Sequence, residues 1–169
     1  FTGSSASLAQ LTLNFATTAS DIQGISLNVT GTPSNAKGVQ VFNGTISDFA
    51  VTQPGGQASN FRAVVLDSSA VATRGSIAIT SGTGSGLHFS DEGGSADDGS
   101  GKASELTLTG GVALSAGVTI DTGPTSIHAL DRLRISGVGR GVDVPDGGVQ
   151  LPNTLIDMGN TNAAQGIDA

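Results

Sequence analysis

The 169-residue chain carries 26 Gly, no Cys, Trp or Tyr, and a net charge of −7 from seven Lys and Arg against fourteen Asp and Glu. With 37% apolar residues it is too hydrophobic for a disordered tract, and its length suits one domain with a real core. A disulfide framework, thiol chemistry and Cys-based zinc are excluded, and an acidic chain with no basic patch is not expected to bind nucleic acid.

The N-terminus, Phe1-Thr2-Gly3-Ser4-Ser5, lacks a basic and then apolar leader, so the chain is expected to be mature, excised or never targeted. No apolar run approaches the roughly 18–20 residues of a membrane helix, and no membrane insertion is expected. The first element is the alternating strand Leu11-Thr12-Leu13-Asn14-Phe15, followed by a polar turn over Thr17–Asp21. Gly24-Ile25-Ser26-Leu27-Asn28-Val29 is a second strand, closed by the turn cluster Gly31-Thr32-Pro33-Ser34-Asn35.

From residue 38 onward one phrase recurs: a turn residue, then an apolar, a variable and an apolar or small position. It reads Gly38-Val39-Gln40-Val41, Phe61-Arg62-Ala63-Val64 (Phe61 breaking the turn rule) and Gly86-Leu87-His88-Phe89. It then returns as Gly111-Val112-Ala113-Leu114, Gly141-Val142-Asp143-Val144 and Gly166-Ile167-Asp168-Ala169, in steps of 23, 25, 25, 30 and 25 residues. A short strand repeated at that period predicts a solenoid. A second strand is expected about seven residues into each repeat, at Thr45–Ser47, Ala70–Ala72, Val118–Ile120 and Val149–Leu151. A third is expected about fifteen residues in, at Ser76–Ile79, Ser126–Leu130 and Thr154–Ile156, and Leu106–Leu108 fits the same slot if its coil has a longer loop. Leu133-Arg134-Ile135 falls inside the one repeat that runs five residues over length. The predicted class is all-β, a parallel β-helix of about six coils of roughly 25 residues with three short strands each. It forms one domain over 1–169, with 1–37 as an irregular first coil and 38–169 as regular coils. A helical alternative fails, because no window sustains a 3.6-residue apolar stripe and Gly interrupts every segment. Gly166–Ala169 is a strand start with nothing after it, so a segment of a longer solenoid is expected, or end-to-end self-association.

The coil pattern, the Thr/Ser/Gly turns and the phrase Ala103-Ser104-Glu105-Leu106-Thr107-Leu108-Thr109-Gly110-Gly111 resemble right-handed parallel β-helices of the pectin-lyase-like superfamily. The missing Trp, Tyr and Cys and the acidic balance look most like autotransporter passenger domains of the pertactin kind. That resemblance implies a right-handed coil, an extracellular or bacterial cell-surface location, and a host-surface or polysaccharide ligand. It is specific for fold rather than function, since adhesins, polysaccharide lyases, glycoside hydrolases and phage tailspikes share the coil.

Three groups of residues carry candidate chemistry. Asp91, Glu92, Asp97 and Asp98, on the Gly/Ser-rich stretch 90–102, could supply hard oxygen ligands to calcium, though the spacing matches no calcium-loop motif. A solvated surface loop accounts equally for that composition. The second group is His128, Asp131, Arg132, Arg134, Arg140 and Asp143. Leu133 and Ile135 are expected inside, which turns Arg132 and Arg134 outward toward an acidic or neutral polysaccharide. Surface ion pairing is the plainer reading of the same charges. The lyase and polygalacturonase motifs of the superfamily are missing. The third group is a column at the third position of the recurrent strand: Gln40, Ala63, His88, Ala113, Asp143 and Asp168. Asp143 and Asp168 there lie one coil apart, close enough to repel or to share a proton, with Arg134 or Arg140 able to relieve them. His88 and His128 are too few for a metal site. The expected role is therefore a non-catalytic adhesin or structural solenoid without a required cofactor. The alternatives are a carbohydrate-active β-helix using Asp143, Asp168 and Arg134, and a self-assembling filament unit. Lack of Trp and Tyr removes the usual sugar-stacking platforms and weighs against the enzyme.

Overall fold

The computed structural model describes residues 2–3, 9–30, 34–54, 58–67, 69–79, 82–90, 101–111, 116–123, 126–157 and 165–168. Among them every regular element is a strand, and the strands form one sheet of seven and one of eleven. All recorded pairings are parallel. The acidic stretch 91–100 and Ala113 lie outside the described residues.

The seven-stranded sheet runs, edge to edge, Ala9–Asn14, Lys37–Phe42, Ala58–Asp67, Gly82–Ser90, Ala116–Asp121, Arg140–Asp146 and Gln165–Asp168. Each strand therefore lies beside the next one in sequence to join that sheet. Register places like on like: Leu11, Val39, Val64, Leu87, Val118, Val142 and Ile167 form one row, and Leu13, Val41, Leu66, Phe89 and Ile120 another. From Val39 to Val142 both rows are fully buried. Parallel strands are spaced about 4.8 Å apart, so each apolar side chain rests on its equivalents above and below.

Small residues accompany these rows. Gly38, Ala63, Gly86, Gly117, Gly141 and Gly166 occupy the position just before the first row. A Cβ at Gly117 would sit 2.5 Å from Ile135 Cγ2 and 2.8 Å from the Gly141 carbonyl oxygen, so this position faces the opposite sheet at close range. The core lies between the two sheets, as one cluster drawing on both.

The eleven-stranded sheet receives each repeat twice. One track joins Ile22, Ile46, Ala72, Ala103 and Leu130 in register. The other joins Leu27, Val51, Ile77, Leu108, Ile135 and Ile156. A single residue with positive φ turns the chain from the first track to the second: Gly24 (73°), Asp48 (51°), Arg74 (49°), Glu105 (56°), Arg132 (53°) and Asn153 (54°). The turn is tight enough that Val71–Ile79 and Lys102–Gly110 each run through it as one nine-residue strand, where the sequence suggests two separate strands in the first and only Leu106–Leu108 in the second.

Left-handed backbone is unfavourable for Arg and Glu by about 1–2 kcal/mol each. Stacked charges of alternating sign partly offset that cost. The Arg74 guanidinium grips the Asp48 carboxylate with two hydrogen bonds of 2.8 and 2.9 Å, and Arg132 meets Glu105 at 2.9 Å. Both pairs are solvent-exposed, so each contributes little to stability. The Arg74 hydrogen bond, aided by its charge, holds the Asp48 carboxyl below the ordinary aspartate value of 3.8. A depressed folded-state pKa means that the stabilisation is present above the ordinary value and is lost as pH falls through the folded one. An NMR pH titration should thus place the Asp48 midpoint below 3.8, and Arg74→Ala should return it toward that value. An unchanged midpoint in the variant would show that the pair does not control the group.

The strands are parallel as expected, but their placement departs from the expected one in two places. The strand expected to start at Phe61 pairs two residues later, so Ala63 is fully buried and aligns with Gly38 and Gly86 instead of lying outward beside His88. Val65 takes the place beside His88. Of the strand expected at Gly111, Val112, Ala113 and Leu114 lie outside the described residues; the next place in the seven-stranded sheet is taken by Ala116–Asp121, because Gly117-Val118-Thr119-Ile120 carries the same pattern and makes the pairing. The long step is therefore the 31 residues from Gly86 to Gly117, which contain 91–100, rather than the stretch holding Arg132 and Arg134. Val118–Ile120 belongs to the seven-stranded sheet and Ile127–Leu130 to the first track, one slot earlier than expected in each case.

Candidate groove on the seven-stranded sheet

With Val64, Leu66, Leu87, Phe89, Val118 and Ile120 turned inward, the alternate residues of the same strands face away from the core. Pairing aligns Val65, His88, Thr119 and Asp143 in one outer row and Asp67, Ser90 and Asp121 in the next. A groove of about 240 Å³ crosses this face. Along the strands it passes from Asn60, Arg62 and Ser85, over His88 and Thr119, to Asp121, with Asp143 on the following strand.

The near end is shaped by backbone. Asn60 has φ of 50°; its N–H donates to Thr83 Oγ1 at 2.9 Å, and its side-chain amide donates to Asn35 Oδ1 at 2.9 Å. Gly84 has φ of 129°, a conformation open to glycine alone, and sits where the register between Gly82 and Gly84 shifts. That irregularity brings Ser85 into line with Arg62.

Beside the groove lies a buried polar group. Asp67 is fully buried and accepts hydrogen bonds from Gln40 Nε2 at 2.9 Å and Ser90 Oγ at 3.1 Å. His88 is 7% exposed and Gln40 8%, so much of this face is covered, while Asp121 is exposed. Asp143 is paired with Arg140 at 3.2 Å. Among the described residues the Asp121 side chain has neither a hydrogen-bond nor an ion-pair partner.

The residues singled out from sequence separate into different places. Asp143 lines the groove, and the Asp168 backbone aligns with it one strand on, as expected. Arg140, not Arg134, neutralises Asp143. Arg134 belongs to the eleven-stranded sheet, exposed between Thr107 and Leu155, so the grouping of Arg134 with Asp143 does not hold. Arg132 does point outward beside buried Leu133 and Ile135, but it is held by Glu105 and by Asp131 at 3.2 Å. His128, grouped with the arginines as a binding residue, is fully buried. Its Nδ1 donates to the Gly101 carbonyl at 3.0 Å, which leaves Nε2 of the neutral ring to accept from the Thr122 hydroxyl at 2.9 Å. The ring also packs on Phe89, centroid to centroid 4.5 Å. It ties the strand Ile127–Asp131 to Phe89, Gly101 and Thr122. Asp91, Glu92, Asp97 and Asp98 lie outside the described residues, and among the described ones no three His, Asp or Glu side chains converge as a metal site.

Asn60, Arg62, Gly84, Ser85, Thr119 and Asp121 are the groove residues that sequence reasoning passed over. Part of the signal was present: moving the Phe61 phrase by two residues sets Arg62 beside Ser85, and moving the Gly111 phrase by six sets Thr119 beside His88 and Asp121 beside Ser90.

The groove offers two carboxylates, an imidazole, a guanidinium, hydroxyls and an amide, with no aromatic or aliphatic wall. These groups are hydrogen-bond donors and acceptors. No family model matches the chain, and comparison with curated proteins and with solved structures gives no match. No helix is long and apolar enough to cross a membrane among the described residues.

Proposed function

We propose that the chain is a right-handed parallel β-helix of the pectin-lyase-like kind, with about six coils of roughly 25 residues. In this reading it serves outside the cell or at a bacterial surface, as an autotransporter passenger does, as a rigid non-catalytic scaffold that binds a glycan. The observation that carries the reading is the repeated in-register return of the chain to both parallel sheets, joined to a polar groove on the outer face of one. Stacked rows of Val, Leu and Ile make that face stiff, and stiffness keeps the groove residues in place without a cofactor.

A polysaccharide lyase or glycoside hydrolase is the second reading, favoured by Asp121 and Asp143 facing one groove. Paired carboxylates are the usual agents of glycoside hydrolysis. Asp121 replaces Arg134 as the partner of Asp143 in that case. A glycan-binding screen with product formation followed in the same wells separates the two, run with and without calcium. Binding without turnover is the expected result. Turnover abolished by Asp143→Ala would replace the scaffold with the enzyme, and a calcium requirement would return attention to residues 91–100.

A further inference from the structure

We infer that the groove on the seven-stranded sheet is a subsite for an amino sugar, with the free ammonium of a hexosamine seated at Asp121. The inference rests on the reading of the groove as a glycan-binding face and names the sugar that it selects.

Charge matching decides the class. Asp143 is met by Arg140, and Arg62 and His88 each already hold an interaction of their own. Asp121 is the carboxylate in the groove that is exposed and without a partner among the described residues. A ligand ammonium gains a charge-assisted hydrogen bond there, stronger than the neutral bond that a hydroxyl or an acetamide would make. A uronic acid meets the reverse situation. Its carboxylate approaches Asp121 and Asp143 inside a molecule of net charge −7, and the one arginine lining the groove already holds an interaction.

The rest of the lining fits a sugar ring better than a basic peptide. A lysine or arginine side chain needs an apolar wall for its methylene stem. The groove has Asn60, Ser85 and Thr119 where that wall would be, and these groups suit ring hydroxyls. No Phe, Trp or Tyr lines it and the His88 ring is 7% exposed, so selectivity rests on hydrogen bonds and charge. Its volume, about 240 Å³, lies below the roughly 300–1,000 Å³ of sites for drug-sized ligands. It therefore takes a single ring of a chain, whose neighbours lie across adjoining strands.

The test is calorimetric titration with short glucosamine oligomers, the same oligomers fully N-acetylated, oligogalacturonate and oligolysine of equal charge. It uses the wild-type chain, Asp121→Asn, and Asp157→Asn as a control that removes the same charge from the other sheet. The glucosamine oligomer should bind at least about tenfold more tightly than its acetylated form. Asp121→Asn should erase that difference while Asp157→Asn keeps it, with the melting temperature of Asp121→Asn unchanged. Equal loss in the two variants would show general polycation attraction and overturn the site. Binding of the acetylated or acidic oligomer as tightly as the glucosamine one would overturn the amine preference while leaving a glycan-binding face. Oligolysine binding with the same dependence on Asp121 would overturn the sugar assignment. Silence toward every glycan would overturn the glycan-binding reading and this inference together.

Discussion

Gly84→Ala is expected to cost the fold about 3 kcal/mol or more, a large share of a typical domain's stability. Two effects add. The φ of 129° is one that L side chains rarely adopt, and the new Cβ would fall on the backbone of Phe61, within 2.5 Å of its nitrogen and closer still to its carbonyl oxygen. Neither backbone atom can move without disturbing the pairing of Gly82–Ser90 with Ala58–Asp67. Gly24→Ala provides the comparison. Its φ is 73° and nothing lies within 4 Å of the added Cβ, so only the left-handed cost of about 1–2 kcal/mol applies. Urea midpoints should therefore fall much further for Gly84→Ala than for Gly24→Ala. Equal losses would mean that the close approach to Phe61 has been relieved by movement, and the shape of the groove's near end would have to be reconsidered.

The second large effect belongs to Asp67. A carboxylate this deep persists only because its oxygens are satisfied. Removing it in Asp67→Ala leaves the Gln40 amide and the Ser90 hydroxyl buried without that acceptor. Hydrogen bonds to charged groups contribute about 1.5–3 kcal/mol each, which places the loss near 3 kcal/mol or above. Asp67→Asn keeps the volume and one acceptor, but turns a second donor toward groups that already donate, and should fall between the two. Chemical denaturation of both variants checks the order. An alanine variant as stable as the parent would show that water enters this face freely when the carboxylate is gone.

Much of the architecture was written in local pattern. Gly38-Val39-Gln40-Val41, Gly86-Leu87-His88-Phe89 and Gly141-Val142-Asp143-Val144 state their inner and outer faces by alternation, and the structure pairs them accordingly. The same rule misleads where the signal is degenerate. Arg62-Ala63-Val64-Val65-Leu66 is buried from Ala63 onward, because Val65 is covered on the outer face as well, so alternation offers no unique phase. Gly111-Val112-Ala113-Leu114 and Gly117-Val118-Thr119-Ile120 are equally good strand starts. Only long-range pairing chooses between them, and a pairing partner 31 residues away is not visible in a window of six. The site suffered most from these slips. Asp143 was legible because its strand was placed correctly, whereas Asp121 was read as following a different sheet's strand. His128 shows the opposite limit. Its position in a strand was clear, but its burial depends on the Gly101 carbonyl, the Thr122 hydroxyl and Phe89, brought together from separate segments.

The column of left-handed residues has an evolutionary corollary. Read along the stack it runs Asp48, Arg74, Glu105, Arg132, alternating in sign. Excising the one repeat that carries Arg74 would bring Asp48 against Glu105, and like charges at adjacent rungs repel. Excising the two that carry Arg74 and Glu105 would bring Asp48 against Arg132 and restore attraction. In the coil reading proposed above, repeat number in this segment thus has a parity: units are gained or lost at least electrostatic cost in pairs, and a single duplication needs a compensating change of sign at the corner.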